Sequence, residues 1–237
     1  MITVALFADP PYPGVVLQSL VESTSITDEE AADLYEAMLA DVCATVEDSG
    51  GSLLVNYAPR EHLPDSVPAD AEPKTAIERV VGDAVADPDA VRYEVQVGSS
   101  HAARVGNTVS HLLEQEEATS VHVLEPTVPL LRRGRIDQAS MKLRTNPVVV
   151  GPATDGRIYY AAFSEPVDFE NALEPPAVES LTRQAVEEGH DVDFLQQKSV
   201  LETGADLRTV RSILRARDAA GRAVPGRTHA VLESLSL

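Results

Sequence analysis

The stretch 148–163, VVVGPATDGRIYYAAF, decides how the rest of the chain is read. Its opening run, Pro147-Val148-Val149-Val150, is apolar and β-branched, so it predicts a strand buried on both faces. Gly151, Pro152, Asp155 and Gly156 then force a loop, and 158–162 predicts a second strand. Two strands around a glycine-rich turn that carries one carboxylate make a ligand rim. The same residues also make a plain turn in which Asp155 only caps the backbone, and composition by itself favours the plain turn.

Working outward, 120–124 predicts a strand, 126–129 a rigid turn and 133–143 a helix. On the other side, 176–188 predicts a helix, 192–196 a strand and 205–216 a helix, with Thr203 as N-cap and Asp206 in the first turn. At the N-terminus, 3–7 predicts a strand, and the prolines that follow it up to Gly14 deny both helix and ladder. Thr27-Asp28-Glu29-Glu30 has capping-box spacing, and Ala31, Leu34, Tyr35, Met38, Leu39 and Val42 recur at helical intervals, so 28–48 predicts a helix. Gly50-Gly51 stops it before a strand at 52–57. The segment 58–73 holds four prolines and reads as a surface excursion, because strand–helix alternation resumes beyond it: helix 75–85, strand 92–97, helix 102–117. After the break at 221–226, residues 228–235 read as a short tail. This order predicts one domain over 1–237, a three-layer α/β/α sandwich with a mainly parallel mixed sheet. Ligands in such sheets bind beyond the carboxyl ends of the strands, here the loops after Phe7, Tyr57, Val97, Leu124 and Val150.

Asp and Glu number 38 against 19 Lys and Arg, a formal charge of −19, which suggests the solvated surface of a salt-adapted protein. That field repels phosphate backbones and argues against nucleic acid as a partner. The basic runs Arg132-Arg133-Gly134-Arg135 and 208–217 lack interleaved aromatics and read as solvated helix faces. The single cysteine, Cys43, excludes an internal disulfide and lies in an apolar helical pattern. No basic leader and no apolar run of about 20 residues is present, so a cytoplasmic chain with no membrane partner is expected. Strong catalytic motifs are missing: Gly98-Ser99-Ser100-His101 lacks the Gly-Lys-Ser/Thr of a phosphate loop, and there is no Gly-x-Ser-x-Gly. Of the six histidines only His101 falls at the expected ligand edge, where a surface turn residue is the simpler reading.

Read as one pattern, the chain resembles small glycosyltransferase-like proteins labelled rSAM/selenodomain-associated transferase 1, of the nucleotide-diphospho-sugar transferase superfamily (GT-A fold). The resemblance runs from the first strand to about Leu214. It is carried by Ala31-Ala32-Asp33-Leu34-Tyr35-Glu36-Ala37-Met38-Leu39-Ala40-Asp41, by Tyr57-Ala58-Pro59, and by Gly151-Pro152-Ala153-Thr154-Asp155-Gly156 with Tyr159-Tyr160. Gln96, Ser100 and Arg104 match a Gln-x-x-x-Asp-Leu-Gly-x-Arg pattern, and Leu201-Glu202-Thr203-Gly204-Ala205-Asp206-Leu207 matches Val-Asp-Thr-x-x-Asp-Leu. The resemblance implies Asp155 as a catalytic residue, Asp155 and Glu125 as ligands of a divalent metal (Mg or Mn), and Gly14, Arg104, Gly151 and Gly156 around a nucleotide or nucleotide-sugar.

The departures fall on charge-handling positions. Where the family places basic residues in its first loop, this chain has Asp9, Val15, Leu17 and Ser19, and Thr127 and Ser100 stand at two of its Asp positions. A hard cation needs carboxylate oxygens, and the charge developing on a diphosphate needs cations. Two readings follow: a transferase with a diverged phosphate and metal site, possessing little or no activity, or a non-catalytic binding protein whose cleft is reused or filled by Val15 or Leu17. In the second, 58–73 and the tail after Gly221 are the contact surfaces.

The excess of acidic residues on a chain that is 43% hydrophobic is expected to oppose compaction at low ionic strength. The melting temperature should therefore rise clearly between dilute buffer and molar potassium chloride. A flat response in scanning fluorimetry would show that the charges are spaced too widely to matter.

Overall fold

The computed structural model describes residues 1–235. Strand β1 (Ile2–Ala8) is followed by the short helix α1 (Gln18–Ser23) and the long helix α2 (Asp28–Ser49). The capping box of α2 forms as its spacing predicts: the Thr27 hydroxyl accepts from the Glu30 amide at 3.2 Å, and Glu30 accepts from the Thr27 amide at 2.9 Å. Then come β2 (Ser52–Tyr57), α3 (Pro73–Gly82), β3 (Arg92–Val95), α4 (His101–Ser110) and β4 (Ser120–Leu124). The second half contains α5 (Arg133–Lys142), β5 (Val148–Pro152), β6 (Ile158–Phe163), α6 (Ala177–Glu187), β7 (Val192–Phe194), α7 (Gly204–Ala219) and α8 (Gly226–Ser234).

The strands form a 7-stranded sheet in the order β3-β2-β1-β4-β6-β5-β7. Every neighbouring pair is parallel except those made by β6, which runs against both β4 and β5. The short 153–157 connection dictates this reversal, because only antiparallel neighbours can be joined by a tight turn. The valine run of β5 alternates as a doubly covered strand must. Val149 packs into the layer holding α2, α3 and α5, while Val148 and Val150 pack into the layer holding α4 and α6. The result is the expected three-layer α/β/α sandwich.

A third apolar cluster closes the open end of α2. There Leu34, Tyr35 and Met38 meet Leu20 of α1, Leu207 and Val210 of α7, and Leu232 of α8. The residues expected as a tail after the 221–226 break are therefore helical and built into the core. The start of α8 is capped from far away in sequence: the amides of Arg227 and Thr228 donate to the two carboxylate oxygens of Asp41 on α2, at 3.3 and 2.8 Å. A local reading of the chain could not supply that cap. The excursion before α3 also packs down, with Ala58, Leu63 and Val67 in a small cluster beside Tyr12 and Val15. Cys43 is fully buried, and burial pushes its thiol pKa up. No helix among the described residues is long and apolar enough to cross a membrane.

Leu232 has no exposed surface, so Leu232→Ala is expected to lower unfolding free energy by about 3 kcal/mol in urea titrations. A tail without packing would give no measurable change.

Candidate functional site

A cavity of about 310 Å³ opens beyond the carboxyl ends of β1, β3 and β4, at the sheet edge where the loops were expected to gather. Gln96 pins this edge. Its side-chain amide is buried and donates to the Asn56 carbonyl at 2.9 Å, while its own backbone N–H donates to the Tyr57 carbonyl at 2.9 Å. Asp9 follows β1 directly, and its amide donates to the buried Tyr35 hydroxyl at 3.0 Å. The first loop and the start of α1, residues 15–19, wall the cavity without filling it. An occluded cleft is therefore not what the structure contains.

Helix α4 supplies His101 and Arg104. Ser100, at an Asp position of the resembling family, is its N-cap and accepts from the Ala103 amide at 3.1 Å. His101 Nε2 lies 3.2 Å from Glu125 Oε1, and its ring meets Phe7 edge-on at 6.0 Å. Burial and the nearby Arg104 lower the His101 pKa, so the ring favours its neutral form. The Arg104 Nε is buried without a protein partner.

Glu125 follows β4 and sits deep in the concavity, yet 46% of its side-chain surface remains open to the cleft. Surrounding protein pushes its pKa up to about 7, and the carboxylates of Glu202 and Asp9 push the same way against Arg104. Because water still reaches the group, its desolvation is partial, but like-charge repulsion acts in the same direction. The Asp9 pKa is also raised, by burial, against the pull of Arg104 and His62.

Glu202 is held from two sides. Thr127 donates its hydroxyl to Glu202 Oε1 at 3.0 Å, and Arg157 Nη1 donates to Oε2 at 2.8 Å. Arg157 also grips both oxygens of Asp206, at 2.8 and 2.9 Å, together with the Thr154 carbonyl and hydroxyl. Burial works to raise the Asp206 pKa, but the bonds from Arg157 and Thr203 hold it below the ordinary value. Thr127, which stands at the metal-ligand Asp of the resembling family, thus touches a carboxylate brought in from the segment before α7.

A second cavity of about 300 Å³ adjoins the first and shares His101, Glu125, Thr127 and Glu202 with it. Its other walls are mostly apolar, with Val105 from α4, Val123 from β4, Ala161 from β6, and Phe169 and Leu173 beyond β6.

Of the residues named from sequence, Arg104 and Glu125 line the first cavity. Asp155 and Gly156 lie on the second. Asp155 is left-handed (φ 59°), its side chain is 87% exposed, and its carboxylate is 3.6 Å from Arg157. Gly156 is also left-handed (φ 72°), and a Cβ there would lie 2.6 Å from Pro176, so the turn can close only on glycine. Gly14 and Gly151 line neither cavity. A Cβ on Gly151 would press on Tyr159 and Tyr160 at 2.8 Å, so that residue serves sheet packing. Sequence reading gave no role to Gln96, Arg157 or Glu202. The signal for Arg157 was its place directly after the Asp155-Gly156 turn, and for Glu202 its place directly before the Thr203 cap.

No protein-family model matches the chain, and no curated protein matches it. Solved structures do. A Desulfovibrio desulfuricans protein provisionally described as a nucleotide-diphospho-sugar transferase superposes with a TM-score of 0.78 at 18% identity, covering 98% of this chain and 94% of that one. A 4-diphosphocytidyl-2C-methyl-D-erythritol synthase from Anaerococcus prevotii gives 0.53 at 10% identity, over 91% and 98%. A CMP:2-keto-3-deoxy-manno-octonic acid synthetase complexed with CTP gives 0.50 at 11% identity, over 91% and 99%. At these identities the likeness shows the fold: the chain has the α/β architecture of the nucleotide-diphospho-sugar transferases and related nucleotidyltransferases.

The folded pKa of Glu125 lies above its ordinary 4.5, so folding disfavours the ionised carboxylate, and stability is lost as pH rises from about 4.5 through about 7. In metal-free buffer, Glu125→Gln should melt like the parent below pH 4.5 and higher than the parent above pH 7. Equal melting at both ends, followed by fluorimetry, would remove the repulsion argument.

Proposed function

We propose that the chain is a nucleotide-dependent transferase, a glycosyl- or nucleotidyltransferase, related to the rSAM/selenodomain-associated transferase 1 proteins and carrying a rebuilt phosphate and metal site. The observation that carries this reading is the open cleft lined by three carboxylates, Asp9, Glu125 and Glu202, of which Asp9 and Glu202 both act on Glu125, with Arg104 as the cation among them. Carboxylates crowded in this way gain from a cation that neutralises them.

The described residues contain no group of three side chains able to cage a metal ion. Magnesium-like ions bound with nucleotides take only one or two protein carboxylates and complete their shell with phosphate oxygens and water. Glu125 and Glu202 fit that arrangement, with Glu202 steadied by Thr127 and Arg157. When bound, the metal would neutralise charge developing on the leaving phosphate. Arg104, the cation lining the cleft, would meet the phosphates. Asp155, implied by resemblance as catalyst and ligand, we assign to the turn, because its side chain is largely in solvent and its backbone is left-handed.

One observation favours a non-catalytic binding protein: Asp9 faces the cleft where the resembling family carries a basic residue. The open cavity weighs against it.

Thermal shift assays with CTP, UTP, ATP and nucleoside diphosphates, each with manganese, separate the two. Saturating ligand should stabilise the fold by about 2.7 kcal/mol at a hundredfold excess over Kd. Glu202→Gln and Arg104→Ala should abolish the shift, and Asp155→Asn should keep it. No shift with any nucleotide at millimolar concentration would overturn the transferase reading.

A further inference from the structure

We infer that the apolar chamber beside the carboxylate cleft takes the acceptor of the transfer, a neutral molecule with an apolar body and a single hydroxyl directed at the His101–Glu125 pair. The role of acceptor rests on the function proposed above, whereas the chemistry of the ligand rests on the chamber alone.

The chamber, about 300 Å³, is of the size that admits a small organic molecule. Val123 and Ala161 are directly paired across β4 and β6 and form its sheet wall, and Val105, Phe169 and Leu173 close the sides. The polar side chains on these walls are already engaged. The Tyr159 hydroxyl donates to the Gln196 carbonyl at 3.2 Å, and the Tyr160 hydroxyl is bonded to the buried His122 ring. Arg157 is spent on Glu202, Asp206 and Thr154, and the Thr127 hydroxyl on Glu202. Beyond the solvent-facing Asp155 on the rim, the side chains that remain for a ligand are the His101–Glu125 pair at the junction with the polar cleft. A polyol would carry several hydroxyls against walls whose apolar and already bonded side chains leave most of them unsatisfied. A ligand with one polar end loses nothing.

The junction also sets the direction of the reaction. The acceptor hydroxyl would point out of the chamber toward the donor in the polar cleft. Its oxygen would bond to the electrophilic carbon or phosphorus of the nucleotide-linked donor. The bond from that centre to a phosphate oxygen would break and its electron pair leave with the phosphate-bearing fragment, while the acceptor proton passes to water in the open cleft.

Saturation-transfer NMR on the full chain tests this with 2-phenylethanol against glucose at equal concentration. The alcohol should bind and glucose should not. Leu173→Trp and Ala177→Phe narrow the chamber without touching the polar cleft, and each should weaken 2-phenylethanol at least about tenfold while melting cooperatively. Glucose binding as well as the alcohol, or parent-like affinity in either folded variant, would overturn the assignment. Loss of every nucleotide-induced thermal shift with alcohol binding intact would overturn the donor reading alone and leave the apolar ligand site standing.

Discussion

The guanidinium of Arg157 is the contact on which the functional half of the molecule depends. It leaves the β5–β6 turn and reaches the segment before α7, where it binds Glu202 and both oxygens of Asp206. Only 7% of the Asp206 side chain is exposed, and a carboxylate that deep is costly unless it is paired. Asp206 in turn accepts from the amides of Glu202 and Thr203 and so shapes the start of α7. One side chain therefore fixes the turn, caps a helix through its partner and aims Glu202 at the boundary between the two cavities.

The cleft it helps to build is unusual in its charge. A protein surface with this excess of carboxylates already opposes phosphate ligands, and the cleft adds Asp9, Glu125 and Glu202 around Arg104. On the function proposed above, a nucleotide would meet less repulsion there with a chelated cation than without one. The residues that surround the carboxylates are otherwise structural: Gln96 ties strand ends together, Ser100 caps a helix, and Tyr35 accepts from the Asp9 amide. Where the resembling family uses charge at Ser100 and Thr127, this chain uses neutral hydroxyls that hold neighbouring groups in position.

Ligand chemistry at the two cavities divides along the sheet. The polar side is formed by loops after parallel strands, whose ends leave backbone and carboxylate groups facing solvent. The apolar side lies against β4 and β6, where the antiparallel insertion adds the small and branched side chains of Val123 and Ala161. The reversal of β6 thus does more than complete the sheet, because it supplies a mostly apolar wall next to a polar one.

Local order was legible in the chain itself. Apolar periodicity and turn residues marked the strands of the sheet, and the capping boxes at Thr27 and Thr203 form as their spacing requires, because caps and strands depend on residues a few positions apart. The doubly buried strand at Val148–Pro152 and a cavity at the carboxyl edge followed from the same local signals. The helical end of the chain did not, since its cap is Asp41, 186 residues before Arg227. Nor did the partnership of Arg157 with Glu202, 45 residues apart, or the meeting of His101 with Glu125. Sequence marked the strands and most of the helices, α1 and α8 excepted. Tertiary structure decided which carboxylates face each other, because electrostatic repulsion and desolvation act through space and leave no periodicity along the chain.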